Sequence, residues 1–208
     1  AYREMAAQRG LKFISSGVWF DYAGAVKCYH GEHMLQAAAL QQKLREQCAA
    51  IRRALPDAKS LIYIHAFLNT DPEGPAKHPG AQITQADGTQ FVNTGYTASY
   101  GIAFRYNYPA VNPENSYLGA MKRIIDMCLD RDQIGADGVY WDELDWISTK
   151  YTYDRWDGHS AELDDQHRLK TRRSYVHLLS LEAKVKLIEY IRSKGGLLIG
   201  NTVPTSDT

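Results

Sequence analysis

Cysteine is scarce. The 208 residues hold three, Cys28, Cys48 and Cys128, an odd number set far apart and without a CxxC pair. That excludes a disulfide framework and leaves buried free thiols, since Cys48 and Cys128 fall on the apolar faces of helical patterns. An excess of charge of either sign is absent too. Lys and Arg number 24, as do Asp and Glu, so nothing marks a nucleic-acid partner. No run approaches the roughly 20 apolar residues of a membrane helix, and no membrane partner is expected. Glycine-rich phosphate loops, GxSxG elbows and Cys/His nucleophile pairs are missing, so no cofactor is expected. No secretory signal leads the chain. Its start at Ala1 fits a cytoplasmic protein and equally a secreted one whose signal has been cut.

What the sequence does have is length, alternation and aromatic side chains. The chain is long enough to bury the core of one domain. LKFISSGVWF reads as a strand ending near Asp21, and SLIYIHAFLN and GADGVYW as further strands, with LLIGN as a last short one. Helices are expected over 33–55, 113–130 and a stretch carrying Leu181, Val185, Ile188 and Ile191, each with an apolar stripe at spacings of three and four. SLIYIHAFLN is apolar almost throughout, which suits a strand covered on both faces. Residues 70–108 form an excursion, with AQITQADGTQFV as a hairpin turning at Asp87-Gly88 and YGIAFRYNYP as a further strand.

Strands alternating with helices predict a parallel α/β sheet built from right-handed crossovers. The expected fold is a TIM-barrel-like (β/α) architecture, taken as one catalytic domain over 1–208 or a portion of one. Four core strands cannot close the eight-stranded barrel, so a partial barrel is the expectation and an open α/β sheet the alternative. A partial barrel would leave strand edges to self-association or to a completing barrel segment.

GVYWDELDW, residues 138–146, packs three carboxylates and two tryptophans into nine positions. Carboxylates are costly to bury, so the cluster is either a solvated capping turn or a chemical site. In parallel α/β folds chemistry sits at the C-terminal ends of strands, where Asp142 is expected. Alternation puts Gly138, Tyr140 and Asp142 on one face, and Glu143 leaves the strand within reach of the same rim. The other strand ends supply Asp21, His65, Asn69 and Asn201. Together with Asp145 they form a polar rim of the kind that binds hydroxyl-rich ligands.

The loop YTYDRWDGHS adds Tyr151, Tyr153, Trp156 and His159. Tyr153 and Trp156 are candidate platforms for a sugar ring, while Asp154 and Asp157 could accept hydroxyl protons; the alternative is a loop whose aromatics fold onto the protein for stability. CYHGEH offers Cys28, His30, Glu32 and His33, but at no standard zinc spacing and without a second pair, so no metal is expected.

GADGVYWDELD resembles the strand motif of (β/α)8-barrel glycoside hydrolases of the α-galactosidase-like and α-amylase-like type, in which a glycine, an apolar pair and a terminal aspartate end a middle strand. The flanking NSYLGAMKRIIDMCLDRDQIGADGVYWDE is similar to uncharacterised barrel proteins of that general type, so the likeness covers about the second half of the chain. It implies that Asp142 is a catalytic nucleophile acting on a carbohydrate. In those families the acid/base carboxylate comes from a later strand, and no clear candidate follows LLIGN, which leaves Glu143 as the local candidate for general acid. The rival readings are a carbohydrate-binding barrel fragment without catalysis, and a metal-dependent barrel hydrolase using the CYHGEH side chains.

Overall fold

A computed structural model describes residues 4, 9–17, 19–22, 25–144 and 151–201, with the backbone alone for 19–22 and 25–27. Four strands form one parallel sheet: β1 (Phe13–Ser16), β2 (Lys59–His65), β3 (Gly138–Asp142) and β4 (Leu197–Asn201). They lie side by side in chain order. Helices α1 (Ala38–Ala54), α2 (Tyr117–Leu129) and α3 (Val176–Ser193) alternate with them and pack on the strands they connect. Each strand is thus added beside the previous one, as in a (β/α) barrel, and not with the reversal of order that marks a doubly wound sheet. The described residues form an α/β parallel sheet with half the strands of a closed barrel.

Alternation along the strands explains the layering. Ile62 and Ile64 of β2 and Val139 and Trp141 of β3 are fully buried in the core with Leu44, Cys48, Ile124 and Cys128 of the helices. On the opposite face Tyr63 and Tyr140 are half-buried, and Phe13 and Leu197 are 51% and 38% exposed. That face is partly open. Gly138 sets how closely β4 approaches β3, because a Cβ there would run into the Leu197 carbonyl and lie 2.8 Å from the Leu197 Cβ.

Several boundaries differ from the sequence reading. β1 ends at Ser16, not near Asp21: the apolar run is broken by Ser15, Ser16 and Gly17, and the chain leaves the sheet there. Trp19–Tyr22 and Ala25–Cys28 instead pair as an antiparallel ribbon with Asp21 opposite Val26. The helix expected from residue 33 begins at Ala38, after a 3-10 turn over Gly31–Gln36, and the one expected from 113 begins at Tyr117. On α3 the buried face is rotated from the expected stripe. Leu181 and Val185 are exposed, whereas Lys184 and His177 are buried, with Lys184 Nζ 2.9 Å from His177 Nδ1. Buried polar groups are tolerated when they bond each other.

Both long connections carry structure. In the first, Gln85 N donates to Thr89 O (2.8 Å) across a turn with Gly88 at φ +84°, and Arg105–Tyr106 pairs antiparallel with Leu68–Asn69. The helix Thr94–Tyr100 lies between them. In the second, Tyr151–Thr152 pairs with Ser174–Tyr175, and Ala161–Leu163 with Leu169–Arg172. The two connections are joined: Tyr153 N donates to Thr84 O (3.0 Å) and Thr84 N donates to Thr152 Oγ1 (2.9 Å).

Replacing Gly138 with Ala should force β3 and β4 apart. The expected cost is about 3 kcal/mol, seen as a lower urea midpoint with an unchanged slope. A midpoint equal to that of the wild type would show that the close approach is not required.

Candidate active site

The register of the sheet lines up three polar residues in one row at its C-terminal edge. His65 of β2 is opposite Asp142 of β3, which is opposite Asn201 of β4. One turn of alternation back, Tyr63 and Tyr140 stack with centroids 6.0 Å apart and planes at 26°. Asp142 is held from both flanking strands. The Tyr63 hydroxyl donates to its Oδ2 in a short hydrogen bond, and Asn201 Nδ2 donates to its Oδ1 at 2.6 Å. The Asp142 carbonyl also accepts from Ala66 N (3.1 Å), which ties the strand tip to the chain leaving β2.

His65 has a defined tautomer. Its Nδ1 accepts from the backbone N–H groups of Phe67 and Leu68, both at 3.1 Å, so its proton is on Nε2. That nitrogen is 3.4 Å from Glu143 Oε2, longer than an ordinary hydrogen bond. Burial pushes the His65 imidazole down to about 3, so it is neutral at physiological pH. A second buried imidazole, His30, is 5.9 Å from it and is likewise held neutral by burial.

Glu143 is the unusual group. Its backbone has φ +52°, a left-handed conformation that costs a non-glycine residue about 1 to 2 kcal/mol. Its Oε2 is buried without a hydrogen-bond partner among the described residues. Burial, and then the charge on Asp142, push its carboxyl up to about 7. The site therefore sets a proton-holding acid beside a second, hydrogen-bonded carboxyl group. An acid that still holds its proton near neutrality is what general-acid catalysis at that pH requires.

The remaining sequence candidates lie elsewhere or are differently engaged. Asp145 and the Asp21 side chain lie outside the described residues. Asn69 Oδ1 accepts from Asp71 N (3.1 Å), so its side chain serves its own turn. The Tyr153 hydroxyl donates to Glu162 Oε1 (2.6 Å), and Trp156 Nε1 donates to Ser160 O (3.0 Å) with the Arg172 guanidinium 4.6 Å above its ring. The CYHGEH side chains part ways: His33 Nδ1 is 3.0 Å from Thr70 Oγ1, and Glu32 pairs with His78 and Arg123. Among the described residues no three His, Cys, Asp or Glu side chains converge as a metal site would need. Tyr63 was not among the sequence candidates. Counting back by two from His65, as Tyr140 is reached from Asp142, would have found it.

No protein-family model matches the chain, and no curated protein matches it by sequence. Solved structures do resemble it. The α-N-acetylgalactosaminidase NagBb from Bifidobacterium bifidum, in its GalNAc complex, superposes with a TM-score of 0.50 at 11% identity over 96% of this chain. The chain shares its fold with a part of that enzyme. It spans only 39% of the length of that enzyme, and at this identity the likeness is one of fold. A hypothetical protein from Ruminiclostridium thermocellum superposes with a TM-score of 0.48 at 12% identity, over 96% of this chain and 88% of the other. No described helix is long and apolar enough to cross a membrane.

The raised Glu143 carboxyl has a consequence for stability. Its folded value near 7 exceeds the ordinary 4.5, so the folded state holds this proton more tightly than the unfolded chain does. Its contribution is complete below about pH 4.5 and is lost as pH rises through about 7. Glu143→Gln, which mimics the protonated form, should gain about 3 kcal/mol on the wild type between pH 4 and pH 8, measured by urea unfolding. Parallel pH profiles for the two proteins would place the proton elsewhere.

Proposed function

We propose that the chain is a glycoside hydrolase, or the catalytic portion of one, whose chemistry is carried by Asp142 and Glu143. The observation that carries this reading is the Glu143 carboxyl, turned by its left-handed backbone onto the rim that Asp142 occupies, 3.4 Å from His65 and with one oxygen buried and unbonded among the described residues. In the proposed reaction Glu143 gives its proton to the leaving glycosidic oxygen. Asp142 faces the anomeric carbon as nucleophile or charge stabiliser, and water completes the hydrolysis. Tyr63 and Asn201 fix the Asp142 carboxylate, and the Nε2–H of His65 faces Glu143. The stacked Tyr63 and Tyr140 give the open sheet face an aromatic surface. The face bearing Phe13 and Leu197 is where further barrel strands or a second copy would pack.

One observation favours a carbohydrate-binding role without turnover: both oxygens of Asp142 already accept hydrogen bonds from protein groups. Such a module would give heat on titration with sugars and no product.

A panel of aryl glycosides tests the enzymatic reading. Asp142→Asn should abolish turnover with the fold intact. Glu143→Gln should lower kcat roughly 10²- to 10⁴-fold, and less for glycosides with good leaving groups, which need little help from an acid. Full activity in Asp142→Asn would remove Asp142 from the mechanism.

A further inference from the structure

A second constellation stands apart from the strand-tip carboxylates. Glu32 lies in the 3-10 turn before α1, His78 in the first long connection and Ser116 at the N-cap of α2. Ser116 Oγ is 2.7 Å from His78 Nδ1, and His78 Nε2 is 2.8 Å from Glu32 Oε2. This is a hydroxyl–imidazole–carboxylate relay. Such relays are recognised by geometry and roles, whatever the fold or chain order.

Its three members are graded in burial as nucleophilic catalysis needs. Glu32 and His78 are 7% and 3% exposed, and Ser116 is at the surface. Burial pushes the Glu32 carboxyl up, but the bonds from His78 and from Arg123 outweigh it and hold the group below its usual value, as a carboxylate. The carboxylate accepts from Nε2–H, which leaves the Nδ1 lone pair facing Ser116. The Ser116 hydroxyl has one proton and two acceptors in reach, Lys77 O at 3.0 Å and His78 Nδ1. Rotated toward Nδ1, it completes the relay.

Ser116 is also not acting as an ordinary cap. A serine at a helix N-cap normally accepts from a backbone N–H of the first turn. Here it makes no such bond, and its side chain turns to the imidazole instead. The geometry is held by close backbone approach. A Cβ on Gly80 would strike the Glu114 carbonyl, with its carbon 2.9 Å away, so the His78 segment sits hard against the one carrying Ser116. Asn115 is buried with its Nδ2 bonded to Tyr108 O (2.9 Å), and Tyr117 packs edge-on to His78 at 5.2 Å.

We propose that Ser116, His78 and Glu32 form an esterase-type site that acts on carboxylic esters. Ser116 Oγ attacks the ester carbonyl carbon while its proton passes to His78 Nδ1, and Glu32 stabilises the imidazolium. The ester C–O bond breaks, and the proton goes from His78 to the departing alkoxide. Water, deprotonated by the same imidazole, then releases the acid from Ser116 and restores the hydroxyl.

The test is reaction of the whole chain with a fluorophosphonate, followed by peptide mass analysis, alongside hydrolysis of p-nitrophenyl butyrate. One covalent adduct on Ser116 is expected, absent in Ser116→Ala. His78→Gln should slow labelling about 100-fold and flatten its rise with pH, which a merely structural histidine would not do. An unmodified Ser116 in the wild-type protein overturns the proposal whatever the variants do. So does labelling in His78→Gln at the wild-type rate.

Discussion

The carboxyl group of Asp142 is gripped from the strands on both sides of it, and the arrangement of the whole edge follows from that grip. Parallel pairing in strict register carries His65, Asp142 and Asn201 across the sheet as one row. Asn201 reaches Asp142 only because β4 lies close against β3, and that approach depends on the missing side chain at Gly138. A glycine at the start of a strand thus positions an amide at the end of its neighbour. The helical layer beneath, with Trp141 wholly buried between Tyr140 and Asp142, fixes which face those side chains take.

The strained backbone of Glu143 belongs to the same arrangement. A strand that ran straight on would send residue 143 to the face opposite Asp142. The left-handed turn at this position instead brings its carboxyl within 3.4 Å of His65, on the rim that Asp142 occupies. The cost of that conformation and of a buried, unbonded oxygen is carried by the surrounding structure. Observed strain of this kind points toward function, because neither feature stabilises the fold.

How much was readable in advance varied with the range of the interaction. The parallel α/β sheet followed from local alternation and from helical stripes, both of which are written within a few residues. The placement of Asp142 at a strand end was readable for the same reason. Elements decided by distant partners were not. The run through Val18 and Trp19 looked like a continuous strand, but Ser15 to Gly17 release the chain and Trp19–Tyr22 finds its partner in Ala25–Cys28. On α3 a stripe counted from Leu181 put apolar residues inside, whereas His177 and Lys184 are buried as a bonded pair. Tyr153 and Trp156 looked free for a ligand because nothing in the sequence shows Glu162, Ser160 or Arg172 folding back on them. Pairings between polar groups far apart in the chain leave no periodic trace.

The bonds between Thr84 and residues 152 and 153 join two connections that spring from the same end of the sheet, one after β2 and one after β3. Neither can swing away while the other stays, because each supplies the partners that satisfy the other's backbone. Chain order alone would have suggested two separate flaps, but drawing either one away strips a hydrogen-bond partner from a backbone amide of the other.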